Sequence, residues 1–166
     1  MSDKIVLLNK KFFLSFLIIF ICFFLDRISK FYIINFFINT NHIDQYINEY
    51  LNFTLIWNKG IAFGLLQSKS LIYNLISIFI FFIILFLTYL ILKTKIFMET
   101  FSLSLIIGGA LGNFFDRIYY NSVPDFIDFH FKDFHWFTFN VADIFISLGI
   151  LILLIFDIFK SNKKVN

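Results

Sequence analysis

Four stretches of mostly apolar residues, at about 12–31, 71–92, 96–115 and 141–159, constrain this chain more than any other feature. A hydrocarbon layer of about 30 Å is crossed by about 20 helical residues. Inside that layer each backbone polar group must find its partner within the structure, so a run of this length and composition reads as a transmembrane α-helix. With 166 residues, 60% hydrophobic and 15% charged, and a mean hydropathy of +0.85, the chain is too apolar for an ordinary water-soluble domain. The fold class predicted is all-α integral membrane. A four-transmembrane-helix bundle should form one domain over residues 1–166, with a small β-rich extracytoplasmic subdomain built from the loops at about 32–70 and 116–140.

Basic residues orient the bundle. Lys4, Lys10 and Lys11 precede the first span, Lys93 and Lys95 follow the second, and Lys160, Lys163 and Lys164 follow the fourth. The excess of Lys and Arg on cytoplasmic loops places both termini inside. The two longer loops then lie outside, with Asp44, Glu49, Asp125, Asp128 and Asp133. No small-x-small cleavage site follows the first apolar run, which is therefore read as a retained anchor. In the outer loops, residues 51–57 and 123–131 alternate imperfectly between apolar and polar, as strands do. A short apolar piece runs from Ile61 to Leu66, and Tyr46, Tyr50, Trp57 and Trp136 suit an interfacial aromatic belt.

Several function classes fall away on composition. The single cysteine, Cys22, allows no disulfide within the chain and no cysteine-based zinc site. His42, His130 and His135 lack the H-E-x-x-H spacing, so no metal and no cofactor is expected at the site. The net charge of +3 forms no basic stripe, which argues against a nucleic-acid partner.

The scarce polar residues gather in three places: Gly108-Gly109-Ala110-Leu111-Gly112-Asn113-Phe114-Phe115-Asp116-Arg117, Val123-Pro124-Asp125-Phe126 and Phe139-Asn140-Val141-Ala142-Asp143. A carboxylate at a helix centre in the bilayer costs roughly 2.5 to 3.5 kcal/mol on insertion scales, so such placement points to a role. Gly108 and Gly112 form a G-x-x-x-G pair that lets another helix approach. Asn113 and Asp116, and again Asn140 and Asp143, are three residues apart and share a helix face. Capping explains the second pair. It explains the first poorly, because a helix C-terminus disfavours negative charge. Asp116 is followed by Arg117 and reads equally as an ion pair. Asp125 and Asp143 have no adjacent base, and two carboxylates in a water-poor layer share a proton, the electrostatic basis of an aspartic peptidase. Asn113 and Asn140 are placed to orient either group or an oxyanion.

These residues resemble the prolipoprotein signal peptidase family, signal peptidase II. The likeness begins with Asp26-Arg27-Ile28-Ser29-Lys30 and Asn58-Lys59-Gly60-Ile61-Ala62-Phe63-Gly64, and continues through the three clusters above, in the family's order. The resemblance implies that Asp125 and Asp143 are the catalytic dyad. It also implies that Asn58, Gly60, Asn113, Arg117 and Asn140 line the substrate site, that Asp116 organises Arg117, and that Asp26 and Lys30 brace the first span. One departure is Asn121, where the family usually has glycine; Asn tolerates left-handed angles, so the turn is expected to survive. The implied activity is hydrolysis of the bond before a diacylglyceryl-modified cysteine in a bacterial prolipoprotein, at the outer face of the cytoplasmic membrane. The implied partners are that substrate and membrane lipid, with the enzyme a monomer. Two other classes compete: a small proton-coupled transporter, which predicts carboxylates spread through the bilayer depth, and a non-catalytic assembly subunit.

Overall fold

The computed structural model describes residues 2–42, 44–60, 70–132 and 134–165. The Ile61 to Leu66 piece, with Ala62 and Phe63 of the second motif, and Asp133 lie outside the described residues. The order of elements is α1 (Ser2–Thr40), β1 (Asp44–Asn48), β2 (Leu51–Asn58), α2 (Ser70–Lys93), α3 (Phe97–Tyr120), β3 (Val123–Phe131), β4 (Phe134–Phe139) and α4 (Val141–Val165). All four helices are long and apolar enough to cross a membrane.

α3 is the axis of the bundle. Its most apolar window is 56% buried, against 11–17% in the other three helices, and it packs on α1, α2, α4 and β3. Three glycines allow this. A Cβ on Gly108 would lie 2.6 Å from Cys22 Cβ and one on Gly112 would lie 2.5 Å from Asp26 Oδ2, both on α1. One on Gly109 would strike the Ala142 carbonyl oxygen of α4. The expected G-x-x-x-G contact therefore serves α1, and Gly109 gives α4 an equally close approach. On the α2 side, Ile84 and Ile91 pack with Leu103 and Ile107 of α3. The phenylalanines mostly point outward, as Phe16, Phe79 and Phe82 do, the arrangement expected of side chains that meet lipid.

Two of the helix bounds that differ from the sequence expectation bear on the site. α1 extends nine residues past Phe31, to Thr40, so the first outer loop starts later than position 32. α1 touches β2 and β3, and Phe37 of the extension is buried; the helix runs through Asn35 and Asn39 and stops at Asn41, which takes a left-handed φ of 52°. α3 likewise runs through Asp116 and Arg117 to Tyr120, so these two belong to the helix and not to the loop. Asn121 ends it with φ 52° and ψ 27°, so the expected left-handed turn is kept.

The two longer connecting segments form one antiparallel sheet of order β1-β2-β3-β4. β2 and β3 match the alternation seen at 51–57 and 123–131, whereas β1 and β4 were not legible. β2 carries a bulge between Phe53 and Ile56, after which Ile56 pairs with Asp125 and Asn58 with Val123. That register lays the end of β2 beside the start of β3. At the opposite ends of the helices, Lys11 of α1 donates to the carbonyls of Ile91 in the last turn of α2 and of Thr94 just past it, and Lys160 pairs with Glu99 at 2.9 Å.

Candidate active site

The start of β3, the end of β2, the last turns of α3 and the first turn of α4 meet around a cavity of about 610 Å³. Asn58, Asn113, Arg117, Asp125, Asn140 and Asp143 all line it. Its remaining walls are largely apolar, with Ile80 of α2, Ala110 of α3 and Ile144, Ile146 and Leu148 of α4.

Three asparagines hold the two carboxylates, and each is oriented from its far side. Asn58 Oδ1 accepts the Gly60 N–H at 2.8 Å, which leaves Nδ2 to donate to Asp125 Oδ2 at 2.9 Å. Asn113 Oδ1 accepts from Lys30 at 2.9 Å, so its Nδ2 faces Asp143 Oδ1 at 2.8 Å. Asn140 Oδ1 accepts the Asp143 N–H at 3.1 Å, and its Nδ2 reaches Asp125 Oδ1 at 2.6 Å. The Asn140 N–H in turn donates to Asp143 Oδ2 at 3.1 Å. This reciprocal pair is a capping box at the start of α4. Capping thus accounts for the Asn140–Asp143 spacing, and the same two residues also tie Asp143 to Asp125.

Asp125 is 4% exposed. Its carboxyl is pushed from its ordinary 3.8 up to about 6, chiefly by burial and further by the negative charge of Asp143, against the amide hydrogen bonds from Asn58 and Asn140.

Behind this layer lies a buried ion cluster. Arg27 takes Asp116 in a two-pronged grip, at 2.5 Å and 2.8 Å, and reaches Asp26 at 2.6 Å. Lys30 contacts Asp26 at 2.9 Å and Asp116 at 2.6 Å. Asp26 Oδ1 also accepts the Ala142 N–H at 3.0 Å, one residue before Asp143. Two acids and two bases balance, and the cluster clamps α1, α3 and the start of α4 at one level. The expectation that Asp116 organises Arg117 is corrected: Asp116 binds Arg27 and Lys30. Arg117 donates instead to the Gly60 carbonyl at 2.8 Å and places its guanidinium 5.9 Å from the Tyr73 ring centroid.

Comparison with known proteins decides the family. The profile described as "Signal peptidase (SPase) II" matches residues 18–160. The chain belongs to the signal peptidase II family. A lipoprotein signal peptidase of Pelagibacter ubique (strain HTCC1062) is 49% identical over 158 residues, 95% of either chain. One of Anaplasma phagocytophilum (strain HZ) is 39% identical, covering 84% of this chain and 88% of that one. Among solved structures, a bacterial membrane enzyme obtained by the in meso method superposes with a TM-score of 0.72 at 31% identity, covering 90% of each chain.

Within this signal peptidase II fold, Asp125, Asp143, Asn58, Asn113, Arg117 and Asn140 come together at one cavity, and Gly60 supports them through Asn58 and Arg117. Asp26, Lys30 and Asp116 stand one step behind, reaching Asp143 through Asn113 and Ala142. Arg27 was missed because it occupies an interchangeable position of the first motif. A guanidinium inside an apolar helix was the available signal, since such a charge is kept only with a partner.

Proposed function

We propose that this chain is a membrane aspartic endopeptidase that removes signal peptides from diacylglyceryl-modified prolipoproteins, cutting before the lipidated cysteine. The observation that carries the proposal is the pair Asp125 and Asp143 in one largely apolar cavity, each held by asparagine donors whose orientation is fixed from behind. The pair holds one proton between its two carboxyls. The ionised carboxyl takes a proton from water as the oxygen bonds to the peptide carbonyl carbon, while the protonated one donates to the carbonyl oxygen. Collapse of the tetrahedral intermediate breaks the C–N bond, and a carboxyl proton passes to the leaving amine. No metal or other cofactor takes part in this scheme. Arg117, fastened to Gly60, offers its other N–H groups to a substrate carbonyl. Ile144 and Leu148, on the α4 face below Asp143, suit the acyl chains.

Both termini lie in the cytoplasm and the cavity lies at the outer face of the bacterial cytoplasmic membrane, where a membrane-borne substrate arrives by lateral diffusion. The enzyme acts as a monomer. The transporter alternative requires carboxylates through the bilayer depth. Among the described residues, Asp26, Asp116 and Asp143 share one level, while Glu99 and Asp157 lie toward the other ends of their helices.

Cleavage of one precursor in two forms tests the proposal. With purified enzyme in detergent and no added metal, the diacylglyceryl-modified form is cut once, directly before the cysteine, as read by mass spectrometry, and the unmodified form persists. Equal cleavage of both forms, or none of the modified one, overturns it.

A further inference from the structure

Away from the Asp125–Asp143 pair, the β3–β4 hairpin assembles a second group of ligating side chains. Asp128 pairs with Thr138 and Phe129 with Phe137, so a regular ladder would set Trp136 opposite His130. An irregularity between Phe129 and His130 sets His135 there instead. The two imidazoles lie nearly parallel, with centroids 5.1 Å apart, and His135 Nδ1 sits 2.6 Å from Asp128 Oδ2. One ligand atom from each of Asp128, His130 and His135 lies within 4.8 Å of the others.

Two further observations point to a ligand. His130 is 6% exposed, and its Nδ1 is buried without a hydrogen-bond partner among the described residues. Asn52, which pairs with Asp128 across the sheet, has its Oδ1 in the same condition. A separate cavity of about 420 Å³, bordered by Asp44, Asn52, Asp128, His135 and Thr138, gives room at the cluster. The plainer reading, an Asp–His contact that closes a hairpin, leaves the buried His130 Nδ1 unsatisfied, and such atoms are rare in folded proteins.

We propose that Asp128, His130 and His135 bind one divalent transition metal of the zinc class. Two imidazoles and a carboxylate match such an ion, whereas calcium and magnesium call for oxygen ligands throughout. The ion cross-links β3 to β4 close to their turn, on the strand that carries Asp125, and is a structural clamp rather than part of the peptidase chemistry. No sequence spacing marks it, because these three ligands sit on paired strands and converge only through the ladder irregularity.

The test uses the full chain in detergent, free of any polyhistidine tag and stripped by chelator, titrated with zinc chloride. One zinc binds per chain by elemental analysis and calorimetry, and the thermal unfolding temperature rises on binding. His135→Ala, at a half-exposed position, and Asp128→Asn each weaken binding by about tenfold or more and remove the thermal shift, while His42→Ala behaves as the parent. His130→Ala completes the set where it folds. Absence of saturable binding at one zinc per chain, or binding that His135→Ala and Asp128→Asn leave unchanged, overturns the assignment whatever the outcome for cleavage.

Discussion

Asparagine is the residue on which the site turns. Asn58, Asn113 and Asn140 each have an oxygen occupied by a donor and an NH₂ group turned to a carboxylate. The pattern fixes both the position of Asp125 and Asp143 and the polarity of their surroundings. The burial of Asp125 beside Asp143, which outweighs those amide bonds, has a consequence for stability. Asp125 keeps its proton up to about pH 6, whereas an unfolded chain gives it up near 3.8. Between roughly pH 4 and 6 the folded state therefore binds more protons than the unfolded one, and stability falls as the pH rises through that window. A difference of about two units corresponds to a contribution on the order of 3 kcal/mol. Thermal unfolding of the parent and Asp125→Asn at pH 4 and pH 7.5 should show the parent losing more stability between the two. Parallel curves would contradict the assigned shift. Most site residues were legible because polar side chains in so apolar a sequence have few ordinary uses. The partner of Asp116 was misread for a simple reason: adjacent residues on a helix point about 100° apart, so Arg117 turns away from its neighbour.

At the scale of elements, α3 passes its geometry to the others through glycines and charges, with Gly108, Gly112 and Asp116 all meeting α1 and Gly109 meeting α4. Gly108, Gly109 and Gly112 bring α1 and α4 into backbone contact, and the cluster of Asp26, Arg27, Lys30 and Asp116 locks α1 to α3 at the level of Ala142. Removing one member of a buried ion pair leaves its partner's charge uncompensated, at a typical cost of 3–5 kcal/mol. Asp116→Ala, which leaves Arg27 and Lys30 with Asp26 as their one shared carboxylate, is expected to lower the unfolding temperature far more than Asp125→Asn. Similar melting of the two variants would show that the cluster does not hold the bundle. Four spans could be read from hydropathy and two strands from alternation. β1 is too short for a clear alternation, and β4 hides its own in Phe134-His135-Trp136-Phe137-Thr138-Phe139, where the pairing irregularity skips a residue. The length of α1 escaped because its C-terminal end carries no proline or glycine before Asn41, and because the helix touches the sheet, a contact that no local pattern encodes.

For the whole molecule, the helices set a polar layer at one end of the bundle and the sheet closes over it. Hydropathy alone gives the spans, but the site exists only because α3, α4 and two strands from separate loops meet there. The family likeness reaches nearly from end to end of the chain, in keeping with a site whose parts are drawn from positions 26 to 143. The most direct measurement is the rate at which Asp125→Asn and Asp143→Asn cleave a diacylglyceryl-modified prolipoprotein, beside a parent whose folding they match by circular dichroism and unfolding temperature. Each variant should lose about a thousandfold or more in rate, and the double variant little beyond that, because the two carboxyls act as a unit. A folded variant at either position that keeps its rate within about tenfold of the parent would contradict a catalytic dyad of Asp125 and Asp143.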